Sequence, residues 1–186
     1  MLKIRFQTAC TCISEAGRLN IFRALYALSV NLSENKSSMT NPKPGIPAYL
    51  NHIRIVLSRT SHPANIGAAA RAMKTMGLSR LTLVAPQLIA TPMTPEPSLF
   101  DAACPQAFKL PQESFVLASG AADVLENAQI SATLAEALAD TTLSCALTSR
   151  RRELTSPLQT PRELVPELLQ AAQAGQQVAL VFGNET

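Results

Sequence analysis

Hydrophobic and polar positions follow two different periods along the chain. The apolar run Ile53-Arg54-Ile55-Val56-Leu57 leads into a polar loop, apolar residues then recur at helical spacing between 66 and 76, and a second run covers 81–84. Short apolar runs are typical of buried strands, whereas a period of about 3.6 residues is typical of a helix. The order predicts a strand, a helix and a second strand, which together form a βαβ unit.

Residues typical of helix termini stand at both ends of this predicted helix. Asn65 is a favoured N-cap residue, and Gly77 stands where helices commonly end in the left-handed conformation. One stripe is predicted to pack on the sheet, and Arg71 and Lys74 lie outside it; the stripe comprises Ile66, Ala69, Ala70, Met73 and Met76. Open α/β sheets bind ligands where a helix begins at the carboxyl end of a strand, so a site is expected there.

The rest of the domain continues the alternation of helices and strands. Strands are predicted at 143–147 and 178–182, and the second has the composition of a buried parallel strand. A helix is predicted over 113–125 with a break near Gly120, and a short one over 133–138 with Ser131 as its N-cap. A third helix is predicted over 161–174, with Thr160 as its N-cap and Gly175 at its end. Pro166 marks an alternative, later start for this third helix. The predicted fold class is α/β, a mostly parallel sheet with flanking helices.

Residues 1–48 differ in composition from the rest. They hold six basic and two acidic residues, a stretch at 18–30 that could form an amphipathic helix, and a linker-like segment rich in proline at 41–45. We predict a poorly ordered N-terminal extension over 1–48 and a domain over 49–186. Met39 is favoured over Met1 as the native start, and a transit-type peptide is the alternative.

Charge and cysteine content exclude several classes of function. The chain carries a net charge of +3 and the first 48 residues carry +4, so the remainder carries −1 and offers no independent support for nucleic-acid binding. The four cysteines and two histidines lack metal-ligand spacing, and Cys145 lies in an apolar run typical of a buried thiol. We therefore expect no metal, no disulfides, no membrane partner and a cytoplasmic location.

Three separated segments resemble one enzyme family. Asn65-Ile66-Gly67 followed by 70–77, with the lead-in 60–62, resembles the first motif of the SpoU branch of the SPOUT RNA methyltransferases. The strand 178–182 running into Gly183-Asn184-Glu185 resembles the second motif, and Thr148-Ser149-Arg150 resembles a loop between them. The resemblance covers about residues 51–186. It implies an α/β trefoil-knot fold, a homodimer and S-adenosylmethionine as cofactor.

The resemblance also implies a reaction. Members of this branch transfer a methyl group to a ribose 2′-hydroxyl of RNA, and the chain most resembles those that modify cytidine or uridine in the tRNA anticodon loop. The family's third motif forms the knot and closes the donor pocket, and it would follow Thr186. We therefore expect that the knot-forming part is missing from this chain and that the chain as given is inactive.

Site residues are carried over from the matched motifs. The resemblance implies catalytic roles for Arg71, Asn65 and Glu185, donor contacts from Thr148, Ser149, Arg150 and Gly183, and RNA contacts from Arg71, Arg151 and Arg152. A guanidinium keeps its proton in proteins, so Arg71 is expected to stabilise a developing alkoxide and is not expected to act as a base. The simpler alternatives are a solvated arginine on a polar helix face, an ordinary N-cap and ordinary turn residues.

Other functions stay open. The substrate could be ribosomal RNA, or the chain could be an inactive fragment that binds RNA or dimerises. A dinucleotide-binding domain is disfavoured, because the chain lacks Gly-x-Gly-x-x-Gly and its second strand ends without an acidic residue. The segment 85–111 holds six prolines and is either a binding loop or a tolerated surface insertion.

Overall fold

The computed structural model describes residues 10–11, 46–148 and 160–183. Within these ranges the strands are β1 (Cys10–Thr11), β2 (Ile53–Ser58), β3 (Arg80–Val84), β4 (Gln87–Leu88), β5 (Ser98–Leu99), β6 (Gln129–Ser131), β7 (Leu143–Thr148) and β8 (Val178–Phe182). The main sheet has the order β1-β7-β8-β2-β3-β6, and every neighbouring pair in it is parallel. Strands β4 and β5 form a separate antiparallel hairpin.

The described helices connect these strands. They are α1 (Pro63–Thr75), α2 (Gln112–Ala118), α3 (Ala122–Glu126), α4 (Leu134–Ala137) and α5 (Pro161–Gln173), with short 3-10 turns at Ala48–His52 and Pro105–Ala107. The larger core cluster holds one face of the sheet against α1, α2, α3 and α5. A smaller cluster joins the other face to α4.

Side-chain alternation along β2 explains this division. Ile53, Ile55 and Leu57 belong to the larger cluster and Val56 to the smaller one, and all four are buried. Successive side chains of a strand point to opposite faces, so a strand covered on both faces is apolar throughout. The predicted α/β class with a mostly parallel sheet and helices on both faces is therefore confirmed.

The C-terminal end of α1 was predicted correctly. Gly77 has φ +78°, and its N–H donates to the carbonyl of Lys74 at 3.1 Å. The N–H of Leu78 donates to the carbonyl of Met73 at 2.9 Å, and both side chains are buried in the larger core cluster. This pair of bonds is a Schellman motif, in which a left-handed residue satisfies the last helical carbonyls.

The N-terminal end of α1 differs from the prediction. The N-cap is His62 and the helix begins at Pro63, so the prediction that Asn65 caps the helix is wrong. Proline is favoured at the first helical position because its missing N–H has no intrahelical partner there. Asn65 lies in the first turn instead, and its backbone N–H donates to the carbonyl of His62 at 3.1 Å.

Three later predictions concern helix boundaries. The break near Gly120 is confirmed, since Ser119 and Gly120 have φ of +43° and +85° between α2 and α3. The Thr160 cap of α5 is confirmed by a capping box with Glu163, and the helix continues through Pro166. The Ser131 cap of α4 is wrong: Ser131 ends β6, and Thr133 forms the capping box with Glu136.

Four short strands were not predicted. Strand β6 has three residues and β1, β4 and β5 have two each, which is too short for a periodic pattern. The amphipathic stretch 18–30 lies outside the described residues. The boundary between an N-terminal extension and the domain at residue 48 stays a prediction.

A buried arginine attaches α4 to the sheet. Arg54 in β2 is 5% exposed, and its guanidinium donates to the carbonyl of Ala137 at 2.6 Å and to both carboxylate oxygens of Asp140 at 2.8 and 2.7 Å. A buried charge needs such partners, because burying it unpaired is costly. The hydrogen bond from Arg54 lowers the pKa of the Asp140 carboxyl below its usual value, with further help from the charges of Arg54 and Arg80.

We expect Asp140→Ala to lower the free energy of unfolding by about 1–3 kcal/mol, because the buried Arg54 guanidinium loses two charge-assisted hydrogen bonds. The folded pKa of Asp140 is depressed, so its contribution is present above the ordinary aspartate value near 3.9. It is lost as the pH falls through the folded pKa. Urea unfolding at several pH values would therefore show the variant and the wild type converging in acid.

Asp123→Ala is the matched control for this prediction. Asp123 also pairs with a cation, Lys74, but both side chains are 51% exposed. Exposed pairs contribute little, so this variant should unfold close to the wild type at neutral pH. Equal losses in the free energy of unfolding for Asp140→Ala and Asp123→Ala would show that the burial of Arg54 does not determine how much its ion pair contributes to stability.

Candidate active site at the carboxyl edge of the sheet

The ends of three neighbouring strands lie side by side. Leu147 of β7 is paired with Phe182 of β8, which is paired in turn with Leu57 of β2. The residues that follow, Thr148, Gly183 and Ser58, therefore lie next to one another at the carboxyl edge. Helix α1 begins five residues after Ser58, so its N-terminus opens at the same edge.

Two of the predicted donor contacts meet here. Thr148 is the last residue of β7, and Gly183 directly follows β8 and is exposed. A Cβ added to Gly183 would meet no atom of the described residues within 4 Å, so among them space is open beside its backbone. These two residues fit a ligand lying across the strand ends, although the other two predicted contacts, Ser149 and Arg150, lie outside the described residues.

The first turn of α1 is fixed by its contact with α2. The hydroxyl of Ser114 is fully buried and donates to the carbonyl of Pro63 at 3.0 Å. Gly67, one turn further along α1, lies so close to α2 that a Cβ there would come within 2.3 Å of the carbonyl oxygen of Ser114. The glycine of the first motif therefore allows close packing of two helices, and this packing positions Asn65.

Arg71 lies further from the edge than the sequence suggested. It is the eighth residue after Pro63, which places it about 12 Å along the helix axis at 1.5 Å per residue. Its side chain is exposed, as predicted, and its carbonyl accepts a hydrogen bond from the hydroxyl of Thr75 at 2.9 Å. Asn65 and Arg71 are six residues apart and thus project about 120° apart around the helix.

The structure thus brings together only part of the predicted site. Thr148, Gly183 and the half-buried Asn65 lie on elements that meet at the carboxyl edge, whereas Arg71 is on the exposed side of α1. Glu185, Arg151 and Arg152 lie outside the described residues, so their predicted roles stay predictions.

The proline-rich segment borders this edge. The backbone N–H groups of Gln87 and Ile89 donate to the carbonyls of Thr60 and Ser61, at 3.0 and 2.9 Å. Further along, the hydroxyl of Thr91 is hydrogen-bonded to the carboxylate of Glu113, which is 9% exposed. The segment is therefore attached both to the loop after β2 and to α2.

One residue at this edge was missed by the sequence analysis. Arg59 directly follows β2, is exposed and has φ +56°. Left-handed backbone at a residue other than glycine is uncommon. No local sequence pattern marks it, because an arginine after a strand is ordinary and its conformation is set by the neighbouring strand.

Other chemistry lies elsewhere in the described chain. Burial raises the pKa of the Cys145 thiol to about 12, with a smaller effect from Glu167, which agrees with the inert buried thiol expected from the sequence.

A cavity of about 290 Å³ lies at the opposite, amino edge and is lined in part by Arg80, Asp123 and Gln129. The described residues include no cluster of three or more histidine, cysteine or acidic side chains suited to a metal ion. No helix among them is long and apolar enough to cross a membrane.

Comparison with known proteins identifies the family. The chain is 40% identical over 136 residues to the tRNA (cytidine/uridine/adenosine-2′-O-)-methyltransferase TrmJ of Pseudomonas aeruginosa, covering 73% of this chain and 45% of that protein. It is 43% identical over 136 residues to the tRNA (cytidine/uridine-2′-O-)-methyltransferase TrmJ of Salmonella typhimurium, covering 73% and 47%. A solved methylase family protein from Neisseria gonorrhoeae is 72% identical with a TM-score of 0.74, covering 77% of this chain and 67% of that one.

The chain belongs to the TrmJ methyltransferase family. The family membership inferred from the three motifs is thus confirmed. No protein-family model matches the chain. The chain spans about half the length of the two TrmJ relatives.

We expect Gly67→Ala to destabilise the domain by about 1–3 kcal/mol, the range found for overpacking a core. The sign of the change in the free energy of unfolding is diagnostic of the close contact between α1 and α2. A glycine-to-alanine change inside an ordinary exposed helix stabilises that helix by about 1 kcal/mol. Here the new methyl group would clash with the backbone of α2 at Ser114 and Ala118. Thermal and urea unfolding would measure the change.

Gly183→Ala provides the control, since its added methyl group meets no atom within 4 Å in the part of the chain that the structure describes. Its stability should match that of the wild type. A Gly67→Ala variant that is more stable than the wild type would contradict the close contact between α1 and α2.

Proposed function

We propose that this protein transfers a methyl group from S-adenosylmethionine to a ribose 2′-hydroxyl in the anticodon loop of tRNA, in the cytoplasm. The observation that supports this most is the meeting of the three matched segments at the carboxyl edge. Thr148 and Gly183 end adjacent strands there, and α1, which carries the first motif, begins beside them. Two TrmJ relatives named for this type of reaction share 40–43% of the aligned residues.

The donor is assigned to the strand ends. We propose that Thr148, Ser149, Arg150 and Gly183 hold S-adenosylmethionine, which supplies a methyl group on a positively charged sulfur. The open space beside Gly183 supports this, because a ligand can approach the backbone there without displacing a side chain. The amide groups at strand ends and in the following turns can then orient the donor.

The RNA is assigned to α1 and to the loop after β7. Arg71 faces solvent and is proposed to bind the ribose oxygen and a neighbouring phosphate, with Arg151 and Arg152 holding further phosphates. The acceptor hydroxyl would release its proton to solvent as its oxygen bonds the methyl carbon and the carbon–sulfur bond of the donor breaks. A fixed guanidinium would stabilise the negative charge that develops on this oxygen. Asn65 is proposed to position the acceptor and Glu185 to orient Arg71.

Arg71 and the strand ends are separated along α1, and this bears on assembly. We propose a homodimer with the donor sites near the interface, as the family resemblance implies. Light scattering at micromolar concentration would measure the mass, and a monomer at all concentrations would contradict the dimer.

The reaction itself can be tested chemically. A tRNA transcript and ribosomal RNA are each incubated with S-adenosylmethionine and the protein continued past Thr186 with the matching part of the Pseudomonas aeruginosa TrmJ. A methylated 2′-oxygen cannot attack the adjacent phosphate, so the modified position resists alkaline cleavage. Protection of one anticodon-loop nucleotide is expected. Protection of ribosomal RNA alone, or of neither RNA, would contradict the proposal.

We expect Arg71→Ala in the continued protein to reduce methyl transfer by on the order of a hundredfold, the scale of losing a fixed group at developing charge. Binding of S-adenosylmethionine, measured by calorimetry, should be nearly unchanged. Arg71→Lys should rescue poorly, because an ammonium cannot bridge two oxygens as the planar guanidinium does.

Lys74→Ala is the control on the same helix. It also removes one exposed positive charge, but that ammonium already pairs with Asp123. Transfer should stay within a fewfold of the wild type. A loss as large as that of Arg71→Ala would point to the overall charge of α1 and not to a specific role of Arg71.

A further inference from the structure

We infer that Arg59 is a further RNA contact of the proposed site and binds a phosphate group at the carboxyl edge. The inference rests on the proposed function and extends it to a residue that no motif marks. The first observation is the backbone conformation of Arg59, because residues held in sparsely populated backbone conformations cluster at functional sites.

The conformation of Arg59 is unfavourable in isolation. Its φ of +56° is left-handed, which costs a residue with a Cβ roughly 1–2 kcal/mol and costs glycine almost nothing. Ala85 has φ +42° at the equivalent point after β3. Each residue donates its N–H to the last residue of the next strand, Arg59 to Val84 at 2.8 Å and Ala85 to Ser131 at 3.0 Å. The neighbouring strand therefore imposes the turn.

The backbone on the far side of Arg59 is also held. Thr60 is 3% exposed, and the carbonyls of Thr60 and Ser61 accept the hydrogen bonds from Gln87 and Ile89. Arg59 itself is exposed between these fixed points. A side chain on a rigid backbone loses less conformational entropy on binding than one on a flexible loop.

The surroundings favour an anion. Arg59 lies between the end of β2 and the N-terminus of α1, which carries a partial positive charge. Within the described chain, the ion pairs involve Arg54, Lys74 and Arg80, and none involves Arg59. Its guanidinium is thus available, and the planar fork of arginine matches two phosphate oxygens.

RNA phosphate is the anion that this position fits best. Gly183 directly follows β8, the strand beside β2, so Arg59 borders the strand ends where the donor is proposed to bind. A phosphate flanking the acceptor nucleotide would then reach the guanidinium. The carboxylate of S-adenosylmethionine is the competing anion, and the experiment separates the two.

The test uses the 186-residue chain and a fluorescently labelled anticodon stem-loop RNA. Binding is measured by anisotropy between about 50 and 200 mM salt, a range over which phosphate contacts change affinity strongly. Arg59→Gly should weaken binding by on the order of tenfold at the lowest salt and reduce the slope of log K against log salt by about 0.7–0.9, the value of one phosphate contact. Arg59→Lys should keep most of the slope.

Two controls exclude trivial causes. Arg59→Gly removes the strain, so its unfolding midpoint should equal or exceed that of the wild type, and weaker binding cannot then reflect unfolding. Gln176→Glu changes the net charge by the same amount in the exposed loop before β8, at the amino edge. It should leave both the affinity and the slope unchanged.

The outcomes are distinct. If the wild type binds the RNA and Arg59→Gly binds it with the same affinity and slope, the inference is wrong and the proposed function stands. Loss of S-adenosylmethionine binding in calorimetry with an unchanged RNA slope would assign Arg59 to the donor, which also overturns it. A wild-type chain that does not bind the RNA would overturn both.

Discussion

The parallel pairing of β2 with β8 is the constraint on which the rest of the domain depends. These two strands are far apart in the sequence, and five paired positions from Ile53–Val178 to Leu57–Phe182 fix their register. Because a parallel register aligns all carboxyl ends, it brings the first and last motifs to one edge of the sheet. A shift of β8 by one residue would also turn Leu180 out of the larger core cluster that it shares with Ile55.

Burial on both faces is what makes this register secure. The larger face is covered by four helices, whereas the described cover of the smaller face comes from α4 and its neighbouring residues. On that face a charged group, Arg54, takes part in the packing and joins β2 to the end of α4. The domain thus combines an apolar core on one face of the sheet with a polar attachment on the other. The stability that the polar attachment contributes is more sensitive to pH.

The chemistry at the carboxyl edge follows from how the chain leaves the strands. Arg59 and Ala85 turn sharply because each continues the hydrogen bonding of its neighbouring strand by one residue. This brings the proline-rich segment against the loop before α1, at the same edge of the sheet as Gly183. Loops held in this way suit a site that must keep two substrates in a fixed relation.

Local patterns were enough to predict the four central strands of this protein and its family. The strands at 53–57, 81–84, 143–147 and 178–182, the left-handed end at Gly77 and the capping box at Thr160 all follow from interactions within a few residues. The motif segments likewise identified a methyltransferase before the sheet order was known. The start of α1 was misplaced because Asn65 and Pro63 both carry helix-start signals, and the proline fits the first helical position.

Only the tertiary structure decided how these pieces meet. Sheet order placed Thr148 beside Gly183, and helix contact gave Gly67 its role against Ser114. The buried pairing of Arg54 with Asp140 and the left-handed turn at Arg59 also depend on partners between 25 and 86 residues away. Such features cannot be read from neighbouring residues, because their energy comes from groups that only folding brings into contact.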